Sequence, residues 1–375
     1  MVASRGTGLA EPGLRVMHVI NGLAAGGAEA QLAQLLLAGG RFAEGALTVS
    51  LTAGGPWAGR LRAAGLPLVE LGMARGRPSL AGLNALVRLI RSERPAVVQG
   101  WMYHANLAAL SALALSGRRR RTRLIWGLRA SDLDLGAYGR STRMAVRLGA
   151  LLSAAPDVVI ANAHAAGPAH ERLGFRPRRF AVVPNGIDAA RFRPDPALRR
   201  TVRAELGLGL EVPVIAHVAR VDPMKDHATF LAAFDRLGDV AAIVVGAGTE
   251  SLADRPGLLR LGERDDVERL LAAADLFASS SAFGEGFSNA LGEAMAAGLP
   301  VVATEVGDAR SVVGAAGVIV PPREPAKLAA AIAEILAMPV AARAALGMAA
   351  RRRIEQEFTL ARAAECFVAL QDGTA

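Results

Sequence analysis

Residues 180–196, which read FAVVPNGIDAARFRPDP, separate two parts of the chain that repeat one pattern. The stretch starts as an apolar run and continues as a turn-rich connector with little apolar periodicity. Before it, apolar runs alternate with stretches that carry leucine and alanine at helical spacing, and the same alternation starts again after residue 210. This alternation is typical of a parallel sheet covered by helices, so two α/β domains are predicted.

The predicted strands are short apolar runs bounded by turn residues. Seven lie before the connector, at residues 14–20, 46–51, 66–71, 96–99, 123–126, 157–161 and 180–183. Six lie after it, at residues 213–218, 240–245, 258–261, 276–279, 300–303 and 317–320. Open α/β sheets bind ligands beyond the carboxyl ends of their strands, so a site is expected in the cleft between two doubly wound domains.

We predict the domain boundary at the start of the connector. The N-terminal domain then comprises residues 1–184 and the C-terminal domain residues 185–350. The remaining segment, 351–375, has the spacing of a helix. It could pack back on the N-terminal domain or stay with the C-terminal domain.

The composition is that of a folded chain, because 52% of the residues are hydrophobic and only 21% are charged. The single cysteine, Cys366, cannot form an internal disulfide or a structural zinc site. The first residues contain no apolar run of signal-peptide length. We therefore expect a cytoplasmic protein. Residues 96–117 are uncharged and have the length of a membrane span, but Gln99, His104 and Asn106 interrupt them, which favours a strand followed by a helix.

Charge is distributed unevenly between the two halves. Residues 1–184 hold 23 basic and 9 acidic residues, a net charge of +14, whereas residues 185–375 hold 20 and 25, a net charge of −5. The basic half is either a solvated surface or one that attracts anionic lipid head groups or a phosphate-bearing substrate. The basic cluster at residues 118–123 lacks interleaved aromatic residues, so no nucleic-acid partner is expected.

Two glycine-rich loops follow predicted strands. Residues 21–29 read N-G-L-A-A-G-G-A-E, and residues 245–248 read V-G-A-G. Glycines let the backbone approach a ligand closely, and a following helix offers its free N–H groups to an anion. Neither loop has the G-x-G-x-x-G spacing of dinucleotide binding, which argues against an NAD-dependent oxidoreductase. The first loop either binds phosphate or forms a tight turn.

The most informative segment is residues 281–295, S-A-F-G-E-G-F-S-N-A-L-G-E-A-M. Glycines flank Glu285, Ser288 is a suitable N-cap, and residues 289–297 are predicted to be a short helix. The first turn of that helix could hold a phosphate, leaving Glu285 and Glu293 for hydroxyl groups on either side of it. A sugar nucleotide has that layout. The alternative is that Glu285 caps the helix and Glu293 is solvated.

The loop after the first strand of the second domain carries two cations, Arg220 and Lys225. Lys225 is one of only two lysines in a chain that otherwise uses arginine, which favours a specific need for a compact ammonium. Alternatively, the two cations simply pair with Asp222 and Asp226.

Together these segments resemble glycosyltransferase family 4, the retaining enzymes of GT-B fold. The resemblance is carried by the ordered set G-G-A-E, P-N-G-I-D, R-x4-K-D, V-G-x-G and E-G-F-S-N-x-L-x-E-A-M-A-x-G-x-P-V-V-A-T, and it is strongest from residue 184 to residue 307. No single motif would suffice. The resemblance implies two Rossmann-like domains facing across a cleft, an acceptor-side N-terminal domain and a donor-binding C-terminal domain.

The resemblance also implies roles for individual residues. Arg220 and Lys225 would hold the donor diphosphate, Glu285 would meet the transferred sugar and Glu293 the ribose. Arg264 would lie near the base, although its loop matches the family less clearly. The remaining implied donor-binding residues are Gly26 and Gly27 in the first loop, and Phe287, Ser288 and Asn289.

The chain departs from the family at the acceptor side. Many members carry a histidine after the strand that matches residues 124–126, whereas this chain has Gly127 to Ser131 there. His104 and Arg129 are the candidates for acceptor-side residues, with a structural role the alternative for His104. Asp132 and Asp134 have the D-x-D spacing of a metal site from a different glycosyltransferase fold, and we assign them no metal.

The sequence thus predicts a retaining glycosyltransferase of the hexosyltransferase type, with UDP the favoured nucleotide of the donor sugar and no metal or other cofactor. The acceptor would be a sugar or a lipid-linked molecule in cell-surface polysaccharide or glycolipid synthesis, with the enzyme peripheral on an anionic membrane surface. The alternatives are a sugar-nucleotide epimerase or hydrolase of the same fold and a non-catalytic nucleotide-sugar-binding homologue.

Overall fold

The computed structural model describes residues 15–24, 26–74, 76–77, 79–131, 135–137 and 139–374. These residues form one seven-stranded and one six-stranded sheet, and all neighbouring strands pair in parallel. The predicted pair of doubly wound sheets is confirmed. All thirteen predicted strands are present, with ends that differ by at most two residues.

The first sheet is covered by helices on both faces. Its strands are β1 (Val16–Ile20), β2 (Ala46–Ser50), β3 (Leu68–Glu70), β4 (Val97–Trp101), β5 (Arg123–Leu128), β6 (Val158–Ala161) and β7 (Phe180–Val182). Its helices are α1 (Gly27–Leu37), α2 (Gly40–Ala43), α3 (Pro56–Ala63), α4 (Leu80–Glu93), α5 (Tyr103–Leu115), α6 (Arg140–Leu151) and α7 (Ala166–Arg172). All five residues of β1 are buried, as expected for a central strand with covered faces.

The second sheet follows the connector and is built in the same way. Its strands are β8 (Val214–Val218), β9 (Ala241–Val245), β10 (Leu258–Arg260), β11 (Leu276–Ser279), β12 (Val301–Thr304) and β13 (Gly317–Val320). The helices are α8 (Pro196–Glu205), α9 (His227–Phe234), α10 (Val267–Ala273), α11 (Asn289–Ala296), α12 (Ala309–Val313), α13 (Pro325–Ala337), α14 (Val340–Glu357) and α15 (Leu360–Asp372).

Strand order places the loops that carry the motifs. The orders are β3-β2-β1-β4-β5-β6-β7 and β10-β9-β8-β11-β12-β13, so the direction of winding reverses between β1 and β4 and between β8 and β11. Loops at such a reversal diverge and leave a crevice for a ligand. The glycine-rich loop follows β1, the loop with Arg220 and Lys225 follows β8, and the loop with Glu285 follows β11.

The chain passes between the domains twice at neighbouring places. Ile187 donates from its amide to the Phe358 carbonyl at 2.7 Å and accepts from the Leu360 amide at 3.3 Å. After this second pass, α15 packs on the first domain, where Phe367 lies against Phe42 and Trp101 at ring-centroid distances of 5.6 and 5.5 Å. The predicted end of the second domain, at residue 350, falls inside α14, which packs on α11 of that domain. The chain passes back to the first domain only after α14 ends.

The uncharged residues 96–117 form β4 followed by α5, as predicted. Among the described residues, no single helix has both the length and the apolar composition needed to cross a membrane. Helices α13 and α14 meet that criterion only when taken together, and they are bent by 115° relative to each other.

Candidate functional site

The loop after β8 holds Arg220 at the carboxyl end of the strand. Its guanidinium donates a 3.0 Å hydrogen bond to Asp222, which also accepts a hydrogen bond from the Met224 amide at 2.9 Å. Burial alone would raise the pKa of Asp222, but the Met224 amide and the Arg220 guanidinium lower it below its usual value. Arg220 is therefore tethered by a carboxylate that stays ionised, while about half of its side chain remains exposed.

Lys225 and Glu285 form an ion pair between two loops. The Lys225 ammonium pairs with Oε1 of Glu285, to which the Ser281 hydroxyl also donates a hydrogen bond of 2.8 Å. The Lys225 and Glu285 side chains expose only 16% and 11% of their surface. Charges withdrawn from water to this extent are stabilised by their pairing, so each fixes the position of the other.

The pairing of the two cations differs from the alternative considered for the sequence. Arg220 does pair with Asp222, as that alternative held. The pairing of Lys225 with Asp226 is wrong, because Asp226 accepts hydrogen bonds from the amide and hydroxyl of Thr229 and so caps α9. Lys225 is thus directed to the cleft carboxylate and not to its neighbour in sequence.

Hydrogen bonds beside the ion pair join the loops after β8 and β11. The Ser280 hydroxyl donates to the carbonyls of Lys225 and Asp226 at 2.8 and 3.0 Å. The Ala282 amide donates to the Met224 carbonyl at 2.8 Å. Since β8 and β11 are neighbours in the sheet, these bonds bring together side chains that are 60 positions apart in sequence.

Helix α11 begins where predicted and points its N-terminus at the ion-pair loop. Ser288 is the N-cap residue, but its side chain makes no capping hydrogen bond, so the first-turn N–H groups are available to a ligand. Asn289 lies at the first helical position. The Phe287 side chain is only 5% exposed and packs on Phe358 beside a pocket between the domains.

Glu293 lies one turn inside α11 and is partly buried. Burial raises its pKa to about 7; the nearby Arg191 guanidinium lowers it and the Glu268 carboxylate raises it. Arg191 is itself paired with Glu268 at 2.7 Å. Within the described part of the chain, the Glu293 carboxylate has no hydrogen-bond donor of its own, so it is available to a ligand hydroxyl.

The first loop of the N-terminal domain reaches the start of α11. A Cβ atom on Gly27 would lie 3.8 Å from Asn289 Nδ2, so the first residues of α1 and α11 face each other. Gly26 is the N-cap of α1 and leaves room for the Glu29 carboxylate, which a side chain at Gly26 would touch. Two helix N-termini, each with a partial positive charge, thus converge on one region of the cleft.

Two contacts across the cleft were not predicted. Asn162, which follows β6, lies so close to Gly286 that a Cβ atom there would be 2.5 Å from Asn162 Oδ1. Asp308 accepts hydrogen bonds from the amides of His164 and Ala165 at 2.7 and 2.9 Å. Asn162 and Asp308 are single polar residues that follow β6 and β12. Their position after a strand was the only feature of the sequence that could have indicated a role in the cleft.

Arg129 lies at the junction of β5, the connector and α15. Its guanidinium stacks over Trp101 at 4.6 Å and Phe367 at 5.2 Å, and donates a 2.8 Å hydrogen bond to Asn185 Oδ1. Asn185 in turn donates to Asn289 Oδ1 at 2.7 Å. Burial lowers the pKa of Arg129 to about 9, and its Nε and Nη2 atoms lack partners among the described residues. Arg129 therefore contacts the start of α11 through Asn185.

His104 lies at the cleft edge of the first sheet, where the amide of the next residue, Ala105, donates a 2.9 Å hydrogen bond to Asn21 Oδ1 in the first loop. His104 is half-buried in the first turn of α5, next to the backbone of Ser141, and burial lowers its pKa. Among the described residues, no hydrogen bond or ion pair joins His104 to the second domain. Arg264 is exposed and paired with Asp266 at 2.7 Å, and the adjacent Asp265 lies 3.7 Å from Arg60 on α3.

Asp132 and Asp134 lie outside the described residues. Among the residues that are described, no group of three histidine, cysteine, aspartate or glutamate side chains is arranged to hold a metal ion.

Two family models match the chain. The model described as Glycosyltransferase Family 4 matches residues 15–191, and the model described as Glycosyl transferases group 1 matches residues 212–338. The chain belongs to glycosyltransferase family 4. The membership predicted from the motifs is therefore confirmed, and the two matched regions correspond to the two domains.

Relatives of this family 4 chain include two proteins named D-inositol 3-phosphate glycosyltransferase. The one from Segniliparus rotundus is 34% identical over 52% of this chain and 47% of its own length. The one from Mycobacterium tuberculosis is 38% identical over 36% of this chain and 31% of its own length. The chain thus matches less than half the length of either relative.

Solved structures share the whole fold. HepE of Anabaena, in complex with UDP-glucose, has a TM-score of 0.81 and 23% identity over 96% of this chain and 99% of that one. Sucrose-phosphate synthase of Thermosynechococcus elongatus has a TM-score of 0.77 and 17% identity over 96% and 98%. The two-domain GT-B fold is therefore shared along almost the entire chain.

Proposed function

We propose that the protein is a retaining glycosyltransferase that moves a sugar from a nucleoside diphosphate donor to a hydroxyl acceptor. The observation that carries the proposal is the convergence of the Lys225–Glu285 pair, Arg220 and the N-termini of α1 and α11 on one part of the cleft. This arrangement combines positive charge for a diphosphate with carboxylates for hydroxyl groups.

The donor diphosphate is assigned to Arg220, Lys225 and the first turn of α11. When the bond between the sugar and the β-phosphate breaks, negative charge grows on the leaving diphosphate. A helix N-terminus supplies roughly half a positive charge, so the two side-chain cations supply the larger part. In this proposal they replace a divalent cation, and no metal is required.

The two glutamates of the segment take different parts of the donor. Glu285, fixed by Lys225 and Ser281, meets the transferred sugar, and Glu293 meets the ribose. The acceptor oxygen attacks the sugar carbon on the face that the diphosphate leaves, which retains the anomeric configuration. The acceptor proton passes to an oxygen of the departing diphosphate, so no separate base is invoked.

UDP is the proposed nucleotide, supported by the fold shared with HepE, whose structures hold UDP and UDP-glucose. The relatives' name supports a polyol or sugar acceptor that bears phosphate. A phosphate-bearing or lipid-linked acceptor suits the net charge of +14 on residues 1–184. We place the enzyme in cell-surface polysaccharide or glycolipid synthesis, on the cytoplasmic face of an anionic membrane.

The test is a transfer assay preceded by a thermal-shift screen of UDP-, GDP-, ADP- and dTDP-sugars. A ligand that binds only the folded state raises its melting temperature, so the donor should stand out. With that donor and a panel of polyol, sugar-phosphate and lipid-linked acceptors, a glycoside of unchanged anomeric configuration is expected, at a rate that EDTA leaves nearly unchanged. Silencing by EDTA and rescue by magnesium or manganese would contradict the metal-free proposal and bring Asp132 and Asp134 back as candidate ligands.

The same assay separates the alternatives. An epimerase or hydrolase converts the donor without an acceptor, whereas a non-catalytic homologue binds the donor and leaves it intact. Glu285→Gln should slow transfer and keep most of the donor affinity, because the sugar contributes little of the binding energy. Glu293→Gln should weaken nucleotide binding instead. Equal loss of nucleotide affinity in the two variants, measured by calorimetry, would contradict these separate roles.

A further inference from the structure

Helix α6 exposes a row of large apolar side chains on its outward face. Met144, Leu148 and Leu151 follow one another at spacings of four and three residues and expose 55%, 41% and 81% of their surface. The opposite face of the helix packs on the domain through Ala145, Val146, Gly149 and Ala150. The outward row is therefore not required by the fold, and we call it the α6 face.

The α6 face is a cluster and not a scatter of single residues. Thirteen large hydrophobic side chains are exposed in the described part of the chain, and four of them lie between residues 144 and 152. The others are spread over both domains, and Leu115 is the one at the end of the neighbouring helix α5. Isolated exposed apolar residues are normal on protein surfaces, whereas a contiguous set marks an interaction surface.

Arginines flank the α6 face. Arg140, Arg143 and Arg147 lie on the same helix, and residues 139–152 contain no acidic residue. Within the described residues, none of these three guanidinium groups has an ion-pair partner. A helix with apolar residues on its outward ridge and unpaired arginines beside them is typical of helices that lie in the boundary layer of a membrane.

A second group of arginines adjoins the end of α6. Arg119 donates hydrogen bonds to the Ala155 carbonyl and to Asp157, which holds the loop after α5 beside the loop after α6. Arg120 and Arg121 in that loop are exposed. The basic run noted in the sequence therefore lies beside the loop that follows α6, where it adds positive charge at that end of the α6 face.

We propose that the α6 face docks on an anionic phospholipid bilayer, with its apolar side chains entering the head-group boundary and its arginines binding lipid phosphates. The inference rests on the proposed membrane attachment and names the surface that makes it. A second copy of the chain is disfavoured as the partner, because two faces of the same strong positive charge repel each other. Helix α6 follows β5, so its first turn lies at the cleft edge of the sheet, and docking would bring the bilayer beside the acceptor side.

The test uses flotation of the full chain with vesicles of neutral lipid alone or with about one third phosphatidylglycerol. Electrostatic attachment weakens with salt, so each sample is run at low and at high ionic strength. Met144→Ser, Leu148→Ser and Leu151→Ser are combined in one variant, and Arg140→Ser, Arg143→Ser and Arg147→Ser in another. The matched control is Val340→Ser with Arg352→Ser, an exposed apolar residue and an exposed arginine of α14 in the second domain.

Wild type and control should float with the anionic vesicles at low salt. Both α6 variants should partition at least about tenfold less, because each loses either apolar burial or lipid-phosphate contacts. On the vesicles, hydrogen exchange should slow in α6 of the wild-type protein. If the apolar variant floated to the same extent as the wild type, diffuse charge alone would be sufficient to attach the protein. That result would overturn the proposal.

Two further measurements distinguish other outcomes. Transfer to a water-soluble acceptor should be equal in wild type and all three variants, so a loss there would point to the site and not to the membrane surface. A wild-type dimer in sedimentation that becomes a monomer in the apolar variant, without lipid binding, would identify the α6 face as a self-association surface and contradict docking.

Discussion

The two sides of the cleft are built differently. On the second domain, the loops after β8 and β11 are joined by hydrogen bonds, and Lys225 is already paired with Glu285. On the first domain, the facing loop is glycine-rich, and the buried Arg129 retains N–H groups without partners in the described structure. If the proposed function is right, the second domain holds its donor-binding charges in position before the ligand arrives, whereas the first domain still has hydrogen-bond donors for a ligand to satisfy.

The largest expected effect comes from the preorganised side. Lys225→Ala should lower turnover on the order of a hundred- to a thousand-fold, since it removes a fixed charge from the leaving diphosphate. It should also lower the melting temperature, because Glu285 stays buried without its counter-ion. The matched control is Lys327→Ala, the other lysine, whose pair with Glu324 is exposed. Equal turnover in the two variants would mean that the donor side is not organised around Lys225.

Glu293→Gln should produce a smaller effect that depends on pH. Folding raises the Glu293 pKa to about 7, so the folded state holds a proton that the unfolded state has released. Stability from this group is complete below the unfolded pKa and is lost as pH rises through about 7. The melting temperature of Glu293→Gln should therefore exceed that of the wild type more at pH 8 than at pH 5. If the melting temperatures of the two proteins changed in parallel with pH, the raised pKa of Glu293 could not be the cause of the difference in stability.

The smallest expected effect on the reaction concerns the first-domain side of the cleft, where Arg129 contacts Asn185. Asn185→Ala removes the neutral hydrogen bond to Asn289, which contributes about 1 kcal/mol, so the donor KM should rise a few-fold with little change in kcat. It also removes the hydrogen-bond acceptor of the buried Arg129 guanidinium, so the melting temperature should fall. Asn185→Asp serves as the comparison, because it keeps an acceptor for Arg129. Steady-state kinetics of both variants sharpen the contrast; a collapse of kcat in Asn185→Ala would place chemistry at this junction.

The strands could be predicted because both faces of a parallel sheet are buried, which leaves uninterrupted apolar runs such as residues 241–245. The motif loops were predictable for the same reason, since each follows one of those runs. The partner of Lys225 was not, because Glu285 lies 60 positions away and Asp226 is the nearest carboxylate in sequence.

Other site features depend on how the domains pack, which local sequence patterns do not encode. The contacts of Asp308 with His164 and of Asn162 with Gly286 exist only when the domains face each other. Phe287 belongs to the motif but fills the core beside Phe358, and no pattern within the motif distinguishes those two uses. Assignment of donor roles to the segment therefore remains a prediction.

The double passage of the chain between the domains limits how the molecule can be divided. A fragment that stops at residue 184 would lack α15, and the rings of Phe42 and Trp101 would lose their cover by Phe367. No single cut within the connector yields two complete halves, because α15 follows the second sheet in sequence but packs on the first domain. A separately expressed first half would need the peptide 360–372 added back, and restored solubility on adding it would give a direct reassembly assay.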